Sequence, residues 1–476
     1  MGINMFGKHK IKKITKKVLY ITAGAALSCA LFFSLGTSLP YLHHKKADDE
    51  IVEKFAERSF YGETPGAERI RHITDNKEAL IMRLRLINSA KSEIILTTFE
   101  FFDDESGRDI LSALSDAAKR GVKVRLLIDA YKGSELKNSG WAKYLASLDN
   151  TEIRLYNPVN ALKPWKAQSR MHEKYIIADR QTYLLGGRNT NDRFLGNYGD
   201  KYESTDRDVL VYTEQPDDGS SVTELYKYFE DYFNHPDCVN LDSDDDGYTD
   251  KVKARCERLR ELYPEAYTDA AISEMTYPVN KISLLTGQTS TGNKAPNVWY
   301  QLIELMKTGN DVIIQTPYIM CGEEMYADLA SLSEGRSVSL IINSPFTGSN
   351  NFGNADYKNE YEKVHSLGMR VCEHTGEVSH HTKTIVIDDR LSIIGSFNFD
   401  MRSTYIDSEL MLVIDSPTLN AELRAELDMY MESSRITDPD GTVVRGEGYD
   451  ETSLSVPEKL KSFALRTFIP IVRHLI

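Results

Sequence analysis

The sequence predicts an α/β protein of two homologous halves, each a mixed β-sheet flanked by helices, packed pseudo-symmetrically around one shared site behind an N-terminal transmembrane helix. Three observations carry that prediction. One pattern of polar residues occurs twice at identical spacing. The apolar runs around each copy alternate between strand and helix lengths in the same order. A charge-free stretch follows a basic N-terminus.

Residues 171–189 read M-H-E-K-Y-I-I-A-D-R-Q-T-Y-L-L-G-G-R-N and residues 380–398 read H-H-T-K-T-I-V-I-D-D-R-L-S-I-I-G-S-F-N. Both spell H-x-K-x4-D-x6-G-[GS]-x-N, so His172, Lys174, Asp179 and Asn189 are answered by His381, Lys383, Asp388 and Asn398. Upstream of the first copy the pattern predicts a helix over 77–91, a strand over 93–101, a helix over 107–120 and a strand over 122–129. The second half repeats that order at 296–308, 311–317, 323–333 and 337–343. A separation of 209 residues between the copies means two homologous domains rather than a solenoid. Strands alternating with helices imply sheets covered on both faces. Within each motif His and Lys stand two apart, hence on one face of a strand. The following apolar run, a turn at Asp179-Arg180 or Asp388-Asp389 and a returning strand bring the terminal Gly and Asn back beside the histidine.

The third observation is the N-terminus. Residues 18–39 are 22 positions without a charge, long enough at about 1.5 Å per residue to cross hydrocarbon. Six lysines precede them, so the positive-inside rule keeps residues 1–17 cytoplasmic and sends the remainder outward. An uncleaved single-pass cell-membrane anchor is expected, the alternatives being a cut after Gly36 or lipidation at Cys29. The segments that follow are a linker over 40–70, the first half over 71–235 and an acidic insert over 236–285. The second half spans 286–435, and 436–476 form a tail. From Lys459 onward that tail is basic and apolar with no acid, suited either to an anionic membrane surface or to docking on the body, and Pro470 should interrupt any helix there.

Composition narrows the function. The formal charge is −14, and discounting the six N-terminal lysines leaves −20 on residues 18–476. That balance argues against an extended nucleic-acid track, which needs clustered Lys and Arg. Of five cysteines, Cys238 and Cys256 are the pair best spaced for a disulfide, with two free thiols as the alternative. In the insert, Asp242, Asp244, Asp246, Gly247 and Asp250 match the first nine positions of a calcium loop, but Lys253 stands at the twelfth, where a Glu is expected. A solvated acidic linker is the favoured reading over a structural calcium site.

The doubled motif has the parts needed to cut a phosphodiester without a metal or other cofactor. A neutral imidazole can attack phosphorus while a protonated one serves the leaving oxygen, and two lysines neutralise the non-bridging oxygens. Asn189, Ser396 and Asn398 can support the same phosphate. The histidines need opposite protonation states, which calls for a carboxylate on an imidazole. Asp208, in D-R-D-V-L-V, and Glu409, in S-E-L-M-L-V, precede matching apolar strands and take that role. Asp179 and Asp388 belong to the candidate catalytic motifs as braces of the hairpin rather than as acid–base groups. Zinc fits poorly, because a His-x-Lys pair offers one ligand and one competing cation.

These motifs resemble the phospholipase D superfamily, and R-M-H-E-K with G-G-R-N, then H-T-K-T-I-V-I-D-D-R with G-S-F-N-F-D-M-R-S-T and S-E-L, resemble its bacterial cardiolipin synthase branch over roughly residues 70–435. The resemblance implies metal-independent transfer of a phosphatidyl group between membrane phospholipids such as phosphatidylglycerol, with His172 as nucleophile and His381 as acid. Hydrolysis to phosphatidic acid is the alternative, and a nuclease a weaker one. Two departures stand out. Gly187 sits where many members have serine, and this chain shows one N-terminal span where many synthases of the group have two.

Overall fold

The computed structural model describes residues 4–201, 203–244, 247–449 and 455–476. Its central strands fall into two sets of seven. The first comprises β1 (Glu68–Ile73), β2 (Glu93–Thr98), β3 (Lys123–Asp129), β4 (Thr151–Tyr156), β5 (Tyr175–Ala178), β6 (Thr182–Gly186) and β7 (Asp208–Thr213). The second comprises β8 (Lys281–Thr286), β9 (Asp311–Gln315), β10 (Ser337–Asn343), β11 (Arg370–His374), β12 (Thr384–Ile387), β13 (Leu391–Gly395) and β14 (Leu410–Asp415). The spatial orders are β1-β7-β6-β5-β2-β3-β4 and β8-β14-β13-β12-β9-β10-β11, so the second sheet repeats the first strand for strand. Within each, the strands run antiparallel up to the β5–β2 or β12–β9 pair, then parallel. Short strands extend both sheets to nine, among them Tyr277–Pro278 beside β1 and Cys238–Asn240 beside β4. β8 begins inside the segment read from sequence as insert, so the second half starts before residue 286.

The main helices are α1 (Asn4–Ser38), α2 (Asn76–Ser89), α3 (Glu105–Lys119), α4 (Ser221–Phe233), α5 (Thr249–Leu262), α6 (Asn297–Met306), α7 (Glu323–Ser333), α8 (Asn351–Asn359), α9 (Pro417–Glu432) and α10 (Val456–Val472). Side-chain caps start several of them: Asp75 accepts from Glu78 N before α2, Asp104 from Gly107 N before α3, and Ser416 from Leu419 N before α9. Every residue of β2 is buried because α2 and α3 cover its outer face while α4 and the second sheet cover the inner one. α6 and α7 cover the second sheet's outer face in the same way. The core between the sheets is filled by Leu225, Phe229 and Phe233 of α4 and Leu419, Leu423 and Leu427 of α9, packed with Ile95, Ile177, Ile313 and Val386. The helices and strands expected at 77–91, 93–101, 107–120, 122–129 and their second-half counterparts are α2, β2, α3, β3, α6, β9, α7 and β10.

The one stretch among the described residues long and apolar enough to cross a membrane, Thr15–Tyr41, with mean hydropathy 2.0, comprises most of α1 and the short turn after it. The segment after it is not a free tether, since Tyr41 and Phe60 are buried in the second half's core. At the other end Pro470 does not stop α10, contrary to expectation. Proline supplies no N–H to the Arg466 carbonyl one turn earlier, and Asn359 Nδ2 donates to that oxygen instead at 2.9 Å. α10 docks on α8 through buried Ile469, and just beyond its end Arg473 bonds Asp356 Oδ1 at 2.9 Å, while Val456, Leu460, Phe463 and Ile471 stay exposed.

Cys238 and Cys256 are both free thiols, Cys256 buried against the Ser112 carbonyl. In the acidic insert Asp242 and Asp244 are exposed and Asp250 lies in the first turn of α5, while Asp246 lies outside the described residues. Among the described residues no three His, Cys, Asp or Glu side chains cluster as metal ligands.

Candidate active site

Each motif places its histidine and lysine just before a strand, β5 or β12, at the seam between the sheets. The seam is stitched by paired backbone contacts. Met171 bridges Ser408, with His172 N donating to Ser408 O, and Ser379-His380 pair with Ser204-Thr205, with His381 N donating to Thr205 O. The two copies thereby face one cavity of about 330 Å³ lined by His172, His381, Asn189, Asn398, Phe99 and Phe194, among others. Phe99 stands edge-on to the His172 ring at 4.8 Å, and Phe194 lies 4.9 Å from that of His381.

Each imidazole is held by a carboxylate from the opposite half. His172 Nδ1 lies 2.9 Å from Glu409 Oε1, whose carboxylate also accepts from Ser396 Oγ and Ser403 Oγ. His381 Nδ1 lies 2.8 Å from Asp206 Oδ2. With Nδ1 so occupied, Nε2 is the nitrogen left on each ring, that of His381 lying 3.2 Å from Lys383 Nζ.

Asp206, not Asp208, therefore fills the place expected for Asp208. Asp208 pairs with Arg83 at 2.8 Å and Arg188 at 3.3 Å, all three buried, and reaches neither imidazole. Strand register explains the error. Gly186 lies opposite Asp208 and Gly395 opposite Met411, so the equivalents of those two residues, counted back by two, are Asp206 and Glu409. Making Asp208 the equivalent of Glu409 shifts this register by two residues, which keeps the strand face and selects the wrong carboxylate. The serine missing at position 187 has the same origin. A Cβ on Gly187 would come within 2.4 Å of Asp206 Oδ2, whereas Ser396 in the second half hydrogen-bonds Glu409.

The lysines are buried with the histidines. Lys174 Nζ donates to His172 O and lies 5.2 Å from the Phe99 ring centre; Lys383 Nζ lies 2.7 Å from His381 Nδ1 and 3.9 Å from Asp206. Burial lowers Lys174 to about 8 and Lys383 to about 7. Burial and the neighbouring ammonium groups hold both imidazoles well below their usual range, which favours their neutral forms. Burial also pushes Glu409 up to about 7 and raises Asp206.

Asn189 is fixed by Glu100, accepting from its N–H and donating to its carboxylate, and Asn398 has an unpartnered buried Oδ1 on the cavity. Asp179 and Asp388 lie outside the cavity, at the hairpin turns. Both adopt left-handed φ, 53° and 46°, which Asp tolerates better than most residues. The Asp179 carboxylate accepts the N–H groups of Lys91, Ser92 and Glu93 at the start of β2, and Asp388 those of Asn310 and Asp311 at the start of β9. Sequence reasoning missed Asp206, Phe99, Phe194 and Arg193 at the site. For Asp206 the D-R-D spacing was a signal, since both aspartates share one strand face; for Arg193 there was none.

A family model described as "Cardiolipin synthase, PLD-like domain" matches residues 84–235 and 302–431, one match on each half. Cardiolipin synthase C of Escherichia coli is 27% identical over 401 residues, covering 75% of this chain and 83% of that protein. Cardiolipin synthase B of Salmonella typhimurium is 24% identical, covering 72% and 75%. Among solved structures, the phosphatidylserine synthase of Haemophilus influenzae superposes with a TM-score of 0.63 at 18% identity, over 90% of this chain and 99% of that one.

Proposed function

The chain belongs to the phospholipase D superfamily, in its cardiolipin synthase branch, and from that premise we propose that it transfers a phosphatidyl group from one membrane phospholipid to a hydroxyl of a second. The supporting observation is the pair of imidazoles, each tied by Nδ1 to a carboxylate of the other half, opening on one cavity with the two motif lysines buried beside them. His172, kept neutral by burial, attacks phosphorus through Nε2 as the bond to the leaving alcohol breaks, giving a phosphohistidine. The bound anionic diester favours a proton on His381, which passes to the leaving oxygen. His381 then takes the proton of the acceptor hydroxyl as that oxygen displaces His172 from phosphorus, which restores both imidazoles.

Lys174 and Lys383 neutralise the non-bridging oxygens, with Asn189 and Asn398 as further donors. Asp206 and Glu409 fix the imidazole tautomers, while Ser396 and Ser403 hold Glu409. Asp179 and Asp388 brace the hairpins that carry the lysines. α1 acts as a single-pass anchor with residues 1–17 cytoplasmic, which puts the cavity outside the cytoplasm.

The test is to incubate the full chain with labelled phosphatidylglycerol in vesicles containing chelator and resolve the products. Cardiolipin with released glycerol is expected. Phosphatidic acid in place of cardiolipin would make the enzyme a hydrolase, and loss of turnover on chelation would contradict the metal-free scheme.

A further inference from the structure

The cavity does not end at the reacting groups. A groove of about 450 Å³ adjoins it and shares two of its residues, Phe99 and Lys132. One wall is α1 itself, through Phe33 and Thr37; the other is the loop before the first motif, through Val159 and Ala167. The two walls touch lower down, where a Cβ on Gly36 would meet Pro164 Cγ at 2.4 Å. The groove therefore runs from the apolar face of the membrane-length helix to the ring that packs edge-on against His172.

Two of its lining residues, Tyr131 and Val159, expose large hydrophobic side chains, as do Leu162 and Trp165 in the segment that continues from Val159. Its inner end is cationic. Lys132 pairs with Glu100 at 2.9 Å at the join with the cavity. Arg170 is buried, pairs with Asp129 Oδ1 at 3.4 Å and bonds Asn157 O, both through Nη1, and leaves Nε and Nη2 without partners. Asp129 reaches only one nitrogen of this guanidinium, which leaves two donors at the end of the apolar slot for a second anion.

We propose that this groove is the lateral entry slot for an anionic glycerophospholipid, which enters from the bilayer along α1 with its acyl chains between α1 and the loop of Val159, its phosphate drawn past Arg170 and Lys132 towards His172. The inference rests on the phosphatidyl transfer proposed above and adds where the bilayer substrate enters. It explains why the reacting groups sit beside the last turns of the anchor: a diacyl lipid then need not leave the membrane to place its phosphorus at His172.

The test compares consumption of two donors by the full chain: long-chain phosphatidylglycerol in bilayer nanodiscs, and dihexanoyl phosphatidylglycerol below its micelle concentration. Thr37→Trp and Ala167→Trp fill the slot from opposite walls and should each lower the bilayer-to-soluble activity ratio by about tenfold or more, whereas Leu35→Trp, on the exposed face of α1, should keep it within about twofold. Unchanged ratios in the two filled variants, or an equal fall in Leu35→Trp, would overturn the groove. Counting donor consumed rather than product keeps this separate from the reaction, because hydrolysis instead of transfer would refute the proposed function and leave the ratio meaningful. Photocrosslinking with phosphatidylglycerol bearing a mid-chain diazirine needs no turnover. It should label the peptide containing Val159 and Ala167 in the unmodified protein, and absence of label there would equally overturn the inference.

Discussion

At the residue scale, the sharpest distinction lies between two aspartates separated by one arginine. Asp206 touches an imidazole; Asp208 holds two buried arginines. Asp206→Asn should fold normally and lose activity by about 10²- to 10⁴-fold, because the tautomer and charge of His381 are no longer set. Asp208→Asn should instead destabilise the protein by about 3–5 kcal/mol, since Arg83 and Arg188 would be left buried and unpaired. Denaturant unfolding beside turnover separates the two, and the reverse pattern would refute the register argument. The lysines make a prediction about pH. Burial lowers Lys383 to about 7 and Lys174 to about 8, so each is charged below its value and neutral above it. Because kcat/KM reports the free enzyme, it should fall as pH rises past about 7, where Lys383 loses its charge, and more steeply past about 8. A profile still flat near the ordinary lysine value of about 10.4 would contradict this account.

At the scale of elements, most of the fold was legible because the signals were local. Apolar runs of strand length bounded by helix-length periods marked α2, β2, α3 and β3, and again α6, β9, α7 and β10. What was not legible depended on partners distant in sequence. Whether D-R-D offers its first or second aspartate is decided by the pairing of β7 with β6, which a single strand does not encode. The path of α10 past Pro470 depends on Asn359, 107 residues away from the carbonyl it satisfies. The tail then rests on Arg473, whose loss leaves Asp356 buried without its cation. Arg473→Ala should cost the docked tail about 3 kcal/mol. Hydrogen exchange should accordingly accelerate across Val456–Val472 while β2 and β9 remain protected. Unchanged exchange in α10 would show that Arg473 does not hold it.

At the scale of the whole molecule, the duplication is structural as well as textual: two sheets of the same strand order meet through α4 and α9, and each half completes the other's histidine. The sequence made the paired motifs visible, but neither the crossing of carboxylates between halves nor the groove beside α1 leaves a mark in either repeat alone. Both come from packing the halves face to face and setting the anchor against the first. The central claim is that one site uses both halves at once. Single-turnover phosphatidyl transfer by the His172→Ala and His381→Ala chains tests it most directly. The shared site predicts that each substitution alone lowers transfer by about 10³-fold or more; two independent sites would leave each variant with roughly half the activity, and that result would contradict the account.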